Sequence, residues 1–181
     1  MRIRLALEPQ DNNLENIFIR QLKEDDTQTV HELIKDTILT SYHGVYPAEA
    51  IGFFLEYHSE DSIRNDAATG YTILIEEYSG SLVGTGTLLG TNVRRVFVLP
   101  NNQHRGIGKL IEQELERKAI LEKISMLDLD SSLVSTQFWE SLGFVLEREA
   151  YISVKNGQRL LYYRMTKLLE NKYLQDSNHE T

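Results

Sequence analysis

The segment Gln103-His104-Arg105-Gly106-Ile107-Gly108-Lys109 has the chemistry of an anion site. It lies between a strand-like run and a helical one, so the first helical turn leaves several backbone N–H groups without intrahelical partners. Those groups, together with the positive end of the helix dipole, suit a pyrophosphate. Glycine at 106 and 108 lets the backbone approach such a ligand with no Cβ in the way. His104, Arg105 and Lys109 gather positive charge there, on a chain whose formal net charge is −8. A P-loop would need Gly in place of Gln103 and Ser or Thr in place of Leu110. A dinucleotide-binding turn would need a third glycine at Ile111 and would open on the first strand of a parallel unit. Neither pattern fits, and the residues alone read as an anion cradle or as an ordinary helix start with two turn glycines.

The elements around this loop follow from hydrophobic spacing. Ile17 to Leu22 suits a strand, and Asp25-Asp26-Thr27 offers an N-cap to a helix whose Val30, Leu33, Ile34, Thr37 and Ile38 share one face. Pro47 opens a second helix, and the polar stretch from His58 to Thr69 is expected to carry a short connecting one. Tyr71 to Tyr78 and Ser81 to Leu89 read as a hairpin about Ser79-Gly80, followed by a third strand from Val93 to Leu99. From Gly106 to Leu121, Ile107, Ile111, Leu115 and Ala119 recur at helical spacing, with Glu112, Glu116 and Arg117 expected to face outward. Met126 to Asp130 predicts a short strand and Val134 to Leu142 a short helix capped by Gly143. Val145 to Val154 and Leu160 to Thr166 form a final pair turned at Asn156-Gly157. The order predicts a mixed α/β sheet, antiparallel in its first half, with a helical crossover after the third consecutive strand.

Composition narrows the function. At 181 residues, 41% hydrophobic and 25% charged, the chain is of the size and make-up of one folded domain. Without cysteine it has no disulfides, thiolate metal sites or cysteine nucleophiles, and no two histidines have zinc spacing, so no metal is expected. The net charge of −8 argues against nucleic acid and would draw a cationic acceptor. No apolar run is long enough to span a bilayer and Met1 to Leu7 is too short for a signal core, so the expected location is the cytoplasm, with no membrane partner.

Val96-Phe-Val-Leu-Pro, a short polar loop and Gln103-x-x-Gly106-x-Gly108 opening an amphipathic helix resemble motif A of the GNAT acetyltransferase superfamily. Leu127 to Ser132 followed by Phe138-Trp139-Glu140-Ser141-Leu142-Gly143-Phe144 resembles motif B, and Tyr163-Arg-Met-Thr-Lys resembles the final strand. The resemblance covers about Asn16 to Leu168. It implies an α/β (α+β mixed) fold with a splayed mixed sheet of six to seven strands, central strands antiparallel, and about four flanking helices. Residues 1–15 are then an N-terminal strand or linker, 16–168 one acetyltransferase domain, and 169–181 a polar tail.

The implied activity is transfer of an acetyl group from acetyl-CoA, as cosubstrate, to an amine acceptor; the resemblance also allows a homodimer. Backbone groups of Phe97 and Val98, on the strand carrying Val96, would meet pantetheine amides in the gap, and residues 103–108 the diphosphate. The position of the usual tyrosine acid holds Trp139, which can donate a hydrogen bond but cannot titrate. The position of a common glutamate base holds Asn92, which can orient a water. Asp130, Asp128, Glu76 and Glu77 are substitute bases, Ser131 or Ser132 stands near a usual pantetheine contact, and Tyr42, His43 and Tyr46 would line the acceptor side. The loss of both standard groups leaves an alternative, a weakened coenzyme-binding or sensing module of the same fold.

Overall fold

Apolar runs, alternating in some strands and continuous in others, give the sheet, and 3.6-residue spacing gives the helices. The computed structural model describes Ile3, Arg4 and residues 17–169; the rest of the N-terminal segment over 1–15 and of the tail over 169–181 lies outside the described residues. Strands β1 (Ile3–Arg4), β2 (Ile17–Gln21), β3 (Tyr71–Glu77), β4 (Leu82–Leu89), β5 (Asn92–Val98), β6 (Met126–Ser132), β7 (Val145–Ser153) and β8 (Arg159–Leu168) make one sheet. Their order is β1-β2-β3-β4-β5-β6-β8-β7. Seven longer strands thus match the expected sheet, and the two-residue β1 adds an edge. The helices are α1 (Thr27–Ser41), α2 (Ala48–Tyr57), α3 (Glu60–Thr69), α4 (Ile107–Leu121) and α5 (Thr136–Ser141).

All neighbouring strands run antiparallel except β5 and β6, which are parallel and share a single register pair, Asn92↔Asp128. Beyond that pair the strands part and the sheet opens into a V. A bulge in β5 assists the parting: Thr85 faces Phe97 and Thr87 faces Arg94, so Arg95 and Val96 together oppose one residue of β4. Ile107, Ile111, Leu115 and Ala119 seat α4 on one face of the sheet. Val30, Leu33, Ile34 and Ile38 of α1, with α2 and α3, cover the other.

Three local expectations change. Asp26 does not cap α1 through its side chain; it lies in a 3₁₀ turn, accepts from Lys23 N–H at 2.7 Å and binds Arg20 at 2.6 and 2.7 Å. Ion pairing with Arg20 outcompetes the cap. The stretch after His58 is a full ten-residue helix, because Ser59 accepts from Ser62 N–H and starts it. Glu112, expected to face outward, is only 2% exposed, because Lys167 reaches from β8 and binds it at 2.6 Å while also meeting Glu116. Burial, helped by the Glu116 carboxylate, pushes the Glu112 carboxyl up to about 7, against the pull of the Lys167 ammonium.

Candidate active site

Two cavities open where β5 and β6 part. The larger, of about 550 Å³, runs along the N-terminus of α4 and is lined by Val96, Val98, Gln103, His104, Gly106 and Lys109, among others. The smaller, of about 180 Å³, lies on the other side among β5, α2, β6 and the aromatic residues beneath them. Tyr42, Val96, Phe97, Ser132 and Ser135 line both. A group entering from each side would meet at those five residues.

The loop before α4 has the geometry that an anion needs. Gly106 sits in the left-handed region at φ 86° and caps the helix, whose first internal bond runs from Leu110 N–H to Gly106 O at 3.0 Å. The N–H groups of Ile107, Gly108 and Lys109 are therefore outside the helical ladder. A Cβ on Gly108 would lie 3.0 Å from the Phe138 ring, so this glycine also lets α4 pack against α5. The side chain of Ile107 is in the core. Arg105 binds Glu77 at 3.0 Å and its side chain lines neither cavity.

Strand parity decides which backbone faces the gap. Leu99 N–H donates to Val83 O at 3.0 Å, and Phe97 stands opposite Thr85 two residues earlier, so Phe97 exchanges its bonds with β4. Val98 has the other parity and turns its N–H and C=O into the opening, where Gln103 Nε2 donates to its carbonyl at 3.0 Å. Of the two expected backbone contacts, Val98 is the one available.

Other predicted residues divide in the same way. Tyr42 is buried at the junction, and burial raises its hydroxyl above the ordinary tyrosine value. Tyr46, expected to meet an acceptor, is spent on structure: its hydroxyl donates to Leu161 O and accepts from Leu133 N–H, both at 2.8 Å, and burial raises its pKa. His43 is exposed and lines neither cavity. Trp139 lines the smaller cavity and packs edge-on against Phe138 and Phe144, with ring centroids at 4.9 and 5.2 Å. Asn92 stitches the closed end of the V by donating to Asp128 Oδ2 at 3.0 Å.

The substitute bases all have partners. Asp128 binds Arg164 at 2.6 Å, Asp130 binds the same guanidinium at 3.0 Å, Glu76 binds Arg20 and Glu77 binds Arg105. Only Asp130 of these four lines the smaller cavity. The sequence reading missed Arg94, Arg95 and His58, which line it too. Two consecutive arginines between Val93 and Val96 in an otherwise buried strand were the available signal, since such charges are buried only when paired. Arg95 is 4% exposed at φ 55° and binds Asp66, Ser62 and His58. His58 Nδ1 faces Arg95 Nη1 at 2.7 Å, and burial, then the Arg95 and Arg94 charges, push the imidazole down to about 3.

Residues 42–167 match the family described as the acetyltransferase (GNAT) domain. The chain is 26% identical over 147 residues to a spermidine N(1)-acetyltransferase of Thermoplasma acidophilum, covering 73% of this chain and 90% of that one. Its fold is similar to a GCN5-related N-acetyltransferase structure from Rhodopseudomonas palustris, with TM-score 0.76, 22% identity and coverage of 83% and 94% of the two chains. It is also similar to the PaiA N-acetyltransferase of Thermoplasma acidophilum in complex with coenzyme A, with TM-score 0.69, 20% identity and coverage of 84% and 99%. Among the described residues no group of three or more His, Cys, Asp or Glu could hold a metal ion, and no helix is long and apolar enough to cross a membrane.

Proposed function

The chain belongs to the GNAT acetyltransferase family, and from that premise we propose that it transfers an acetyl group from acetyl-CoA to a primary amine of a small molecule or peptide, by direct attack in a ternary complex. The observation that carries this reading is the meeting of the two cavities at Tyr42, Val96, Phe97, Ser132 and Ser135. Acetyl-CoA supplies the activated acetyl thioester when bound. The free N–H groups at the start of α4, with Lys109 and His104, fit its diphosphate, and Val98 offers backbone groups to its pantetheine amides. Holding an amine beside that thioester can lower the barrier by roughly 7–11 kcal/mol, so positioning alone accounts for much of the catalysis.

Proton handling falls to few groups. Trp139 cannot supply an acid, but the Tyr42 hydroxyl stands at the junction and, protonated, can hydrogen-bond a leaving thiolate. Ser132, at the same junction, lies 3.0 Å from the Ser135 hydroxyl and adds a second hydroxyl donor there. Asn92 and Asp130 line the amine side and orient water that removes the second proton. The Thermoplasma relative's name suggests a polyamine acceptor, but Arg94 and Arg95 on the cavity wall oppose a polycation.

A second reading is a coenzyme-binding module without turnover. It is favoured by one observation: Asn92, at the usual base position, is tied to Asp128. Release of free coenzyme thiol from acetyl-CoA across a panel of amino acids, amino sugars, peptides and polyamines separates the two. Turnover with any amine supports transfer, whereas calorimetric binding of acetyl-CoA with silence across the panel supports the second reading.

A further inference from the structure

The wall of the smaller cavity carries positive charge that acetyl transfer itself does not use. Arg94 and Arg95 both line it and share one carboxylate, Asp66 Oδ2, at 3.3 Å from Arg94 Nε and 2.8 Å from Arg95 Nε. The other acceptors around Arg95 are neutral: the Ser62 hydroxyl at 2.8 Å and the uncharged His58 ring at 2.7 Å. Arg94 donates Nη2 to the Tyr57 hydroxyl and stacks over that ring. Its buried Nε makes no hydrogen bond, and Nη1 has no hydrogen-bond partner among the described residues. Asp130, the one carboxylate lining the cavity, is half exposed and taken by Arg164. The one surplus carboxylate nearby is on β6, where Asp128 and Asp130 share Arg164; on β5 it is Arg94 that keeps donors to spare, and a carboxylate reaching it would make a charge-assisted contact.

The position of this charge sets the shape of what binds it. Arg94 precedes Val96 by two residues on β5, about 7 Å along the strand from the point where the two cavities meet. The same charge lowers the proton affinity of an amine placed nearby, which favours the nucleophilic form. A second ammonium, as in a diamine, would instead be repelled.

We infer that Arg94 binds a carboxylate of the acceptor, so that the substrate is a primary amine carrying a carboxylate several bonds from the reacting nitrogen. This rests on the acetyl-transfer reading and adds a substrate class to it. The test uses three probes of one chain length: ε-aminocaproate, n-hexylamine and hexamethylenediamine, whose far ends are anionic, apolar and cationic. Wild-type kcat/KM falls in that order. In Arg94→Gln the ratio of ε-aminocaproate to n-hexylamine drops roughly 10- to 100-fold, the value of one charge-assisted contact, and Arg94→Lys restores part of it. A wild-type preference for the diamine, or a ratio unchanged in Arg94→Gln, overturns the inference while leaving acetyl transfer standing. If no probe is acetylated, the transfer reading fails first. Calorimetric titration of the same three compounds then decides this one: Arg94-dependent binding of ε-aminocaproate upholds it, and its absence overturns it.

Discussion

The proposed coenzyme side and the proposed acceptor side of the opened sheet are built from different materials. Along residues 103–109 a ligand meets backbone N–H groups and two cationic or polar side chains, Lys109 and His104, which make no ion pair among the described residues. On the other side it meets side chains from α2, β5, β6 and β8, apolar for the most part, with Arg95, His58 and Asp130 already paired. Backbone geometry tolerates wide sequence change, so a shared coenzyme can be bound by chains as distant as those compared above. An acceptor wall made of interlocked side chains changes with each substitution, and that is where specificity can be set.

The contrast can be broken most strongly at Arg95. Because the guanidinium is buried and its removal leaves Asp66 and His58 without their main partner, Arg95→Leu is expected to cost about 3 kcal/mol in urea unfolding. The folded fraction should still bind acetyl-CoA normally; a loss of coenzyme affinity would mean that the two sides are not separate. Next in size, Tyr42→Phe should lower kcat roughly 10- to 100-fold with the KM for acetyl-CoA unchanged. Equal turnover would reduce that hydroxyl to a packing group.

His58, beside the smaller cavity, and Glu112, which lies on α4 and lines neither cavity, carry opposite pH dependences. His58 is held at about 3, below the ordinary histidine value of 6.5, so its contribution to stability is complete above 6.5 and fades as pH falls below that. The slope is at most about 1.4 kcal/mol per pH step, and His58→Gln should flatten it in denaturation curves taken between pH 4 and 7, a range set by these values. Glu112 is pushed from 4.5 up to about 7, so its contribution is complete below 4.5 and is lost as pH rises through 7. Glu112→Gln should remove the fall in stability between pH 4.5 and 7, leaving a flatter curve over that range in denaturant unfolding. A steeper limb in that variant would contradict the assigned direction.

Most of the frame was legible in the sequence because it depends on local spacing. Ile107, Ile111, Leu115 and Ala119 specify the buried face of α4, and the glycines at 106 and 108 specify its entry. The site was legible only where it is made of backbone. Phe97 and Val98 could not be told apart until the register against β4 fixed which one faces the gap. Tyr46 looked like an acceptor contact because its partners, Leu133 and Leu161, lie 87 and 115 residues away. Glu112 looked exposed for the same reason, with Lys167 55 residues distant. Long-range polar pairing leaves no periodic trace, so side chains of this kind are assigned only once the fold brings them together.

The central claim is that the start of α4 binds the diphosphate of acetyl-CoA through bare backbone amides. Calorimetric titration of acetyl-CoA into the wild type, Lys109→Glu and the Gly106→Val/Gly108→Val double variant tests it directly, with circular dichroism confirming the fold. The account predicts saturable binding by the wild type, with affinity lower by roughly 10-fold or more in Lys109→Glu and 100-fold or more in the double variant. Wild-type affinity in either folded variant would contradict it.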